Sequence, residues 1–493
     1  MRHSRFLAVG LAATLLVSAC GGDDGGSESS DGTGGEQAAT DLPPCPIEAL
    51  TAATAPVEVT VWHGYTAKTA EALDALAADY NASQAKVVVK VEQQTSYEEL
   101  WKKYQSGIAS SQLPGIAIPD DTVTKQIIDS GTVLPAQSCI DATDYDISQL
   151  LETSRSYYTI DGVLYPASLN TSAALLYYNK NHFRKAGLDP EKTPGTLDEM
   201  REYAQKLKEA GVPANDPPII LNLSPSILEM FLTGAGIPVV DNDNGRGDGE
   251  TTASTYADPR TVELFTWVQD MIADGLLEVV PSIDNQFDHY LAMADQSASM
   301  TIETSTAATS VEAFLGGDLD VGALPDAAGE VDGSAIDLEA LDIGAGVVPG
   351  IDEPGQLQMG GGAWYITNTT PDEVQAAAWD FLSWFNEPAQ QATWSAKGSY
   401  LPYNTKALDE PELQAAWTDS LAGRWLALAY DELATGIDPD FPGPLMGPYE
   451  QFRAAQRKAI DELVFTGGEP QAVADEVQET TTAALEQYNE ENF

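Results

Sequence analysis

The stretch VEVTVWHGY, residues 57–65, indicates the fold class. Valine occupies every second position from Val57 to Val61, and strict alternation of this kind is typical of a β-strand. Apolar residues at helical spacing follow over 66–82, then the strand-like KVVVKVE, a second helical pattern over 97–109 and the short strand GIAIP. This alternation of strands and helices predicts a parallel sheet covered by helices, which is an α/β fold.

A second set of strand and helix patterns fills the middle of the chain. AALLYYNK, PPIILN and SASMTIE are strand-like, and helical patterns lie between them. We therefore expect two α/β lobes joined by more than one crossing of the chain. The expected first lobe takes residues 45–166 plus part of 280–360. The expected second lobe takes residues 167–279 plus 361–493.

The beginning of the chain predicts export. A basic start precedes an almost wholly apolar run at 6–19, which is shorter than the roughly 20 residues that span a bilayer, and this predicts a signal peptide over 1–19. The run ends in LLVSACGG, which resembles the bacterial lipobox, whose cysteine (here Cys20) receives a lipid. Residues 20–44 are small, polar and acidic, so we expect a disordered tether. The alternative is an ordinary signal peptide with an incidental Cys20.

Composition argues against several kinds of partner. The chain has 24 Lys and Arg against 76 Asp and Glu, a formal net charge of −52, which is poorly suited to nucleic acid. Outside the cytoplasm the other two cysteines, Cys45 and Cys139, are expected to form a disulfide; two buried free thiols are the alternative. Four scattered histidines add no ligand cluster, so we expect no metal and no cofactor.

Five segments carry a resemblance to a known family: VEVTVWHGY, TSYEEL, LYPASLNTSAALLYYNKNHFRKAGLDPEKTPGTLDEM, GGGAWYI and AAAWDFLSWFNEPAQQATWSAKGSYLPY. In this order they resemble the extracellular solute-binding proteins of ABC importers, in the carbohydrate cluster that includes maltose and glycerol-3-phosphate binders. The resemblance covers nearly all of residues 57–488. It implies a two-lobed periplasmic-binding-protein (Venus flytrap) fold, with a ligand cleft between lobes that close about a hinge.

The resemblance also implies a function and partners. It implies capture of a sugar, oligosaccharide or related polyol outside the cell, and delivery to the membrane subunits of an ABC permease by a monomer anchored to the cell membrane through Cys20. The rival classes are a secreted glycoside hydrolase and a surface carbohydrate-binding adhesin or sensor. The sequence contains neither a G-x-S-x-G elbow nor an H-E-x-x-H motif, so we do not expect an enzyme. A glycosidase-type pair among the many carboxylates stays open.

The candidate ligand-binding residues follow from strand ends and from the family resemblance. Open α/β sheets bind ligands beyond the carboxyl ends of their strands. Sugars are bound through hydroxyls by carboxylates and amides, and through their C–H faces by aromatic rings. The expected ligand-binding residues are Trp62, Tyr97, Glu98, Asp120, Asn170, Ser172, Glu303, Ser305, Gly361, Trp364 and Tyr400.

Several positions depart from the pattern of the glycerol-3-phosphate binders. Asn222 and Pro225 stand where that group has tryptophans. Leu445 occupies the best match to its phosphate-binding arginine, with Arg453 and Arg424 as nearby alternatives. Because a phosphate needs concentrated donors and positive charge, we expect a neutral sugar or oligosaccharide rather than a phosphodiester.

Overall fold

A computed structural model describes residues 42–281, 288–316 and 341–492. The predicted signal peptide, the predicted lipidation site at Cys20 and all but the end of the predicted tether lie outside the described residues. Cys45 and Cys139 form the expected disulfide, with Cα atoms 4.9 Å apart and a sequence separation of 94. None of the described helices combines the length and the apolar character needed to cross a membrane.

Short strands alternate with helices along most of the described chain. The strands are β1 (Val57–His63), β2 (Val87–Gln93), β3 (Ile116–Ile118), β4 (Val133–Leu134), β5 (Thr159–Ile160), β6 (Val163–Leu164), β7 (Ser168–Leu169), β8 (Ala174–Asn179), β9 (Ile219–Asn222), β10 (Leu277–Val280), β11 (Met300–Thr304), β12 (Ile343–Gly346) and β13 (Ala363–Thr367). The helices are α1 (Ile47–Ala52), α2 (Ala67–Ser83), α3 (Tyr97–Ser110), α4 (Thr124–Asp129), α5 (Ala136–Thr143), α6 (Glu152–Tyr158), α7 (Lys180–Lys185), α8 (Leu197–Glu209), α9 (Pro225–Gly234), α10 (Asp241–Gly245), α11 (Pro259–Ala273), α12 (Asp288–Ala294), α13 (Ala308–Leu315), α14 (Asp372–Phe385), α15 (Pro388–Gly398), α16 (Pro411–Asp419), α17 (Leu421–Gly436), α18 (Tyr449–Asp461) and α19 (Pro470–Asn492).

Side-chain caps fix where several helices begin. The Ser96 hydroxyl accepts a hydrogen bond from the backbone N–H of Glu99 at the start of α3, and the Thr196 hydroxyl does the same for Glu199 at the start of α8. Such caps pair N–H groups that an α-helix leaves without partners in its first turn. The cap at Ser96 makes Tyr97 the first residue of α3.

The first sheet has the strand order β2-β1-β3-β13-β4, with β7 beside β13. Strand β1 runs parallel to β2 and β3, as the sequence predicts, whereas β13 runs antiparallel to β3 and β4. The alternating valines of β1 are buried, and α2 and α14 pack on this sheet. The part of the chain built on this sheet is called the first lobe below.

The second sheet has the strand order β10-β9-β11-β8-β12, and the part of the chain built on it is called the second lobe. Strands β9 and β10 are parallel, and β8 is antiparallel to both β11 and β12. All six residues of β8 are buried, which is typical of a strand that is covered on both faces.

The two sheets divide the chain differently from the division expected above. Strands β11 and β12 lie within 280–360 but pair in the second sheet, and β13 lies within 361–493 but pairs in the first, where Tyr365 is opposite Ala117. The expectation was wrong for β13. For residues 280–360 it left open which part joins the first lobe, and the part that holds β11 and β12 joins the second. The partner of a strand is set by hydrogen bonds to a distant segment, and a local apolar pattern does not encode that choice.

Two antiparallel segments carry the chain between the sheets. After β7, the backbone N–H groups of Asn170 and Ser172 donate to the carbonyls of Gly362 and Gly360, at 2.9 Å each. The segment 360–362 leads from the second lobe back to β13. A third connection joins α16, which packs on α15, to α17, which packs on β12 and α13. The chain therefore passes between the lobes more than once, as the sequence predicts.

Candidate ligand-binding site

Four rings, Tyr65, Tyr97, Trp394 and Tyr400, form an aromatic cluster in the first lobe. The Trp394 and Tyr400 rings are nearly parallel, with centroids 5.8 Å apart, and Tyr65 packs edge-on to Tyr97 at 6.1 Å. The hydroxyls of Tyr97 and Tyr400 are 3.1 Å apart and hydrogen-bonded. Burial raises the pKa of Tyr400 to about 12, so its hydroxyl stays protonated and can donate. The cluster thus combines packed rings with two linked hydroxyls.

Asn170 and Trp364 support this cluster from behind. The Trp364 indole N–H donates to Oδ1 of Asn170 at 3.1 Å, and the Asn170 amide N–H donates to the Tyr65 hydroxyl. Trp364 also packs on Phe385, with centroids 4.5 Å apart. Both Asn170 and Trp364 are fully buried, so in this structure they orient Tyr65.

The backbone at Gly361 passes close to Asn170. Its φ of +135° lies in a region that side chains rarely adopt, and a Cβ there would overlap the Asn170 carbonyl oxygen. This position therefore takes glycine. Beside it, the Ser172 hydroxyl donates to the carbonyl of Gly360 at 3.1 Å. These expected ligand-binding residues lie where the chain crosses between the lobes.

A charge network of Asp120, Glu229 and Arg453 joins the two lobes. Arg453 donates from Nη2 to Glu229 Oε2 at 2.8 Å and from Nε to Oε1 at 3.0 Å. Its Nη1 lies 3.6 Å from Oδ1 of Asp120. Glu229 is buried and also accepts from the Tyr449 hydroxyl and the Gln456 amide. One arginine is thus shared by two carboxylates.

The pKa values of Arg453 and Asp121 are both raised, for different reasons. Burial opposes the charged form of Arg453, but the Glu229 carboxylate outweighs it and raises the pKa of Arg453. Burial, together with the neighbouring Asp120 charge, raises the pKa of the Asp121 carboxyl. Arg453 therefore stays charged, whereas the Asp121 carboxyl takes up a proton more readily than an exposed carboxyl.

Trp62 and Glu98 have partners of their own on the first lobe. The Trp62 indole N–H donates to Glu92 at 2.9 Å, and the Lys103 ammonium lies 3.7 Å from the centre of its ring. Glu98 is exposed and accepts from Lys102 at 2.6 Å. Their proposed contact with a ligand stays a prediction.

Glu303 and Ser305 belong to the end of β11 in the second lobe. Glu303 is paired with His289 at 3.0 Å; burial opposes its charge, but this pairing lowers its pKa. Ser305 is fully buried, and its hydroxyl accepts from the backbone N–H of Ala173 at 3.3 Å. Ser305 therefore links the end of β11 to Ala173, in the segment that crosses between the lobes. A ligand contact by Glu303 or Ser305 stays a prediction.

Leu445, Arg424 and Arg453 are the three candidate positions for a phosphate-binding cation, and none of them presents an unpaired charge near Asp120. Leu445 is buried and donates its backbone N–H to Asn244. Arg424 donates to the backbone carbonyl of Thr418 on the exterior of α17. The charge of Arg453 is compensated within the network described above.

The interpretation of the sequence missed two features of this region. Tyr65 closes the quoted stretch, only three residues after Trp62, and an aromatic residue just beyond a strand end was the available signal. Glu229 is the sole charged residue in the apolar helix α9, and an isolated buried charge predicts a partner. The identity of that partner, Arg453, has no local signal because it lies 224 residues away. No group of three or more ligating side chains that could hold a metal occurs among the described residues.

Similarity to known sequences identifies the family of this chain. The family described as "Bacterial extracellular solute-binding protein" matches residues 75–419, well over half of the chain. The chain belongs to this family. As an extracellular solute-binding protein it acts outside the cytoplasm. Its overall fold matches the two-lobed α/β architecture of solved periplasmic sugar-binding proteins.

This solute-binding protein is similar to named proteins from several bacteria. The sn-glycerol-3-phosphate-binding periplasmic protein UgpB of Escherichia coli strain K12 is 24% identical over 361 residues, covering 72% of this chain and 76% of the relative. The cyclic α-maltosyl-1,6-maltose binding protein of Arthrobacter globiformis is 24% identical with a TM-score of 0.67, over 88% of this chain and all of the other. UgpB of Mycobacterium tuberculosis, solved with glycerophosphocholine, is 17% identical with the same TM-score and the same coverage. These relatives are binding proteins.

Proposed function

We propose that this solute-binding protein captures a neutral sugar or oligosaccharide outside the cell and delivers it to the membrane subunits of an ABC importer. The observation that carries the ligand class is the pairing of Arg453. Its guanidinium is already held by Glu229 and lies 3.6 Å from Asp120, so it is not available as an unpaired cation for phosphate. Membership in the family, and relatives that bind maltose-type sugars, support the general function.

The proposed site lies around Asp120. Its side chain keeps 28% of its surface exposed, so hydroxyls of a ligand could donate to the carboxylate. Its charge is among the causes that raise the pKa of Tyr97 and of Tyr400, which indicates that both rings lie near it. A carboxylate beside aromatic rings combines the two contacts that sugars use.

A panel of ligands tests the proposal. The thermal unfolding of the purified protein is measured with maltose, mannotriose, tagatose, glycerol 3-phosphate and glycerophosphocholine, and affinities are then determined by calorimetry. We expect a neutral sugar to stabilise the protein, with an affinity that depends little on salt because no ligand charge is screened. Tight binding of a phosphate-containing ligand that is lost in Arg453→Gln would contradict the proposed ligand class.

The same preparation tests the proposal that the protein is not an enzyme. We expect each bound sugar to be recovered unchanged after prolonged incubation. Turnover of a glycoside would instead favour the secreted glycoside hydrolase.

We also propose that a lipid on Cys20 holds the mature protein, as a monomer, at the outer face of the cell membrane. At ~5–6 Å × √n, the tether of residues 20–44 would reach roughly 25–30 Å, enough to separate a folded body from the lipid surface. Cys20→Ala is expected to move the protein from the membrane fraction into the soluble fraction. Unchanged partitioning into the membrane fraction would contradict the anchor.

A further inference from the structure

One arginine side chain spans the two lobes. Arg453 lies on α18, which packs against α9 and α19 in the second lobe. Asp120 directly follows the stretch that contains β3 in the first lobe and pairs with Gly362 in an isolated bridge. Helix α18 also packs on residues 121–123 of the first lobe, directly after Asp120. A motion that moves α18 away from this turn separates Arg453 from Asp120.

The second lobe orients Arg453. Two guanidinium nitrogens donate to the two oxygens of Glu229, at 3.0 and 2.8 Å, and such a bidentate pair fixes the plane of the guanidinium. Glu229 is itself fixed by Tyr449 at 3.1 Å and Gln456 at 2.9 Å. The remaining nitrogen, Nη1, lies towards Asp120.

In the part of the first lobe that the structure describes, the Asp120 carboxylate is held by the turn that follows it. Oδ1 accepts from the Thr122 hydroxyl at 2.7 Å and from the Thr122 backbone N–H at 3.2 Å, and the same oxygen lies 3.6 Å from Arg453. At that distance the contact is an ion pair rather than a close hydrogen bond. The contact of Arg453 with Asp120 is therefore weaker than its contact with Glu229, and we expect it to break first when the lobes separate.

We propose that Arg453 is a positioning residue for ligand binding: held by Glu229, it orients the Asp120 carboxylate towards ligand hydroxyls, and it does so only when the two lobes are in contact. This ion pair is one of the contacts that couple lobe contact to ligand affinity, beside the hydrogen bond from the Tyr488 hydroxyl on α19 to Asp129 on α4. The part that concerns the ligand rests on the proposed function, whereas the part that concerns lobe contact does not.

Three variants separate positioning from simple stability. Arg453→Gln removes the cation but leaves Glu229 buried without its partner, so it can fail for structural reasons alone. The double variant Glu229→Gln/Arg453→Gln removes both charges and keeps two side chains that can hydrogen-bond. Asp120→Asn removes the acceptor charge in the other lobe, and Arg424→Gln, a change on the exterior of α17, is the control.

The ligand measurement uses maltose, or the sugar of the panel above that gives the largest thermal shift. We expect the double variant to melt close to the wild type and yet to bind the sugar at least about tenfold more weakly, because one partner of a charge pair is missing. Arg424→Gln should bind like the wild type. Wild-type affinity in the double variant would overturn the positioning role, since a purely structural role predicts that restored stability restores affinity.

The lobe measurement needs no ligand. Small-angle scattering gives the radius of gyration of each ligand-free protein, and we expect larger values for the double variant and for Asp120→Asn than for the wild type and Arg424→Gln. Equal radii for all four would overturn the coupling of lobe contact to this ion pair. If no sugar binds the wild type, the proposed function fails, and the radii still decide the lobe part.

Discussion

The aromatic cluster and the charge network lie on either side of Asp120 and are built in opposite ways. The cluster belongs to the first lobe alone, and its rings are stabilised by removing apolar surface from water. The network takes Asp120 from one lobe and Glu229 and Arg453 from the other. Its charges lose solvation on burial and are tolerated because they are paired. The cluster can therefore keep its shape during lobe motion, whereas the network cannot.

The aromatic cluster therefore sets the shape of the site, whereas the charge network is the part that changes when the lobes move. Rings that pack within one lobe are expected to resist unfolding of that lobe and to depend little on salt. An ion pair that is partly buried between the lobes is expected to depend on lobe contact. Removal of only one of its partners is expected to lower the free energy of unfolding more than removal of both. The following variants test that contrast, beginning with the largest expected effect.

Arg453→Gln is expected to lower the free energy of unfolding by about 3–5 kcal/mol, because it leaves the buried Glu229 carboxylate without its partner. Urea denaturation measures the loss. The control is Glu229→Gln/Arg453→Gln, which should recover most of it. A loss below about 1 kcal/mol, the range of a solvent-exposed pair, would show that the network is not effectively buried.

Trp394→Leu is expected to lower the free energy of unfolding by about 2–3 kcal/mol through lost packing on Tyr400. The indole N–H has no hydrogen-bond partner among the described residues, so no hydrogen bond is lost. The loss should be nearly the same in low and high salt, unlike that of Arg453→Gln. A strong salt dependence for the tryptophan variant would remove the contrast between the two regions.

Tyr400→Ala is expected to weaken sugar binding by about 1–3 kcal/mol, as for loss of a buried ring contact. Tyr400→Phe is the matched control: it keeps the ring and loses only the hydrogen bond to Tyr97, worth about 0.5–1.5 kcal/mol. Calorimetric titration of both variants measures the difference. Equal losses would assign the effect to the hydroxyl rather than to the ring.

Asp121→Asn is the one change expected to raise the free energy of unfolding at pH 7, because the wild-type carboxyl must either stay charged while buried or take up a proton, and asparagine does neither. Burial raises the pKa of Asp121 in the folded protein. The folded state therefore holds this proton more tightly than the unfolded state, and the wild type loses stability as the pH rises above the usual carboxyl range. The gain should shrink as the pH falls through the usual carboxyl range and vanish below it, where the carboxyl is neutral in both the folded and the unfolded state. Melting curves across that range check it, and a gain that grows on acidification would contradict the direction.

Local sequence accounts for the aromatic cluster better than for the network. Tyr97 and Tyr400 were predicted from strand ends and family segments, and the structure brings them to within hydrogen-bond distance of each other. For Arg453 the sequence suggests only a substitute for a phosphate-binding arginine, and it assigns no role to Glu229. Their pairing joins helices α9 and α18, and neither helix carries a pattern that specifies the other.

The sequence by itself determined the alternating α/β pattern and the family, because periodicity and the order of motifs are properties of the chain. It also predicted the Cys45–Cys139 disulfide, which the structure confirmed. Only the tertiary structure decided that β11 and β12 join the second sheet while β13 returns to the first. It alone decided that Arg453 serves Glu229 and Asp120 together. Strand pairing and the compensation of buried charge depend on which distant segments meet, and that is settled by packing the whole chain.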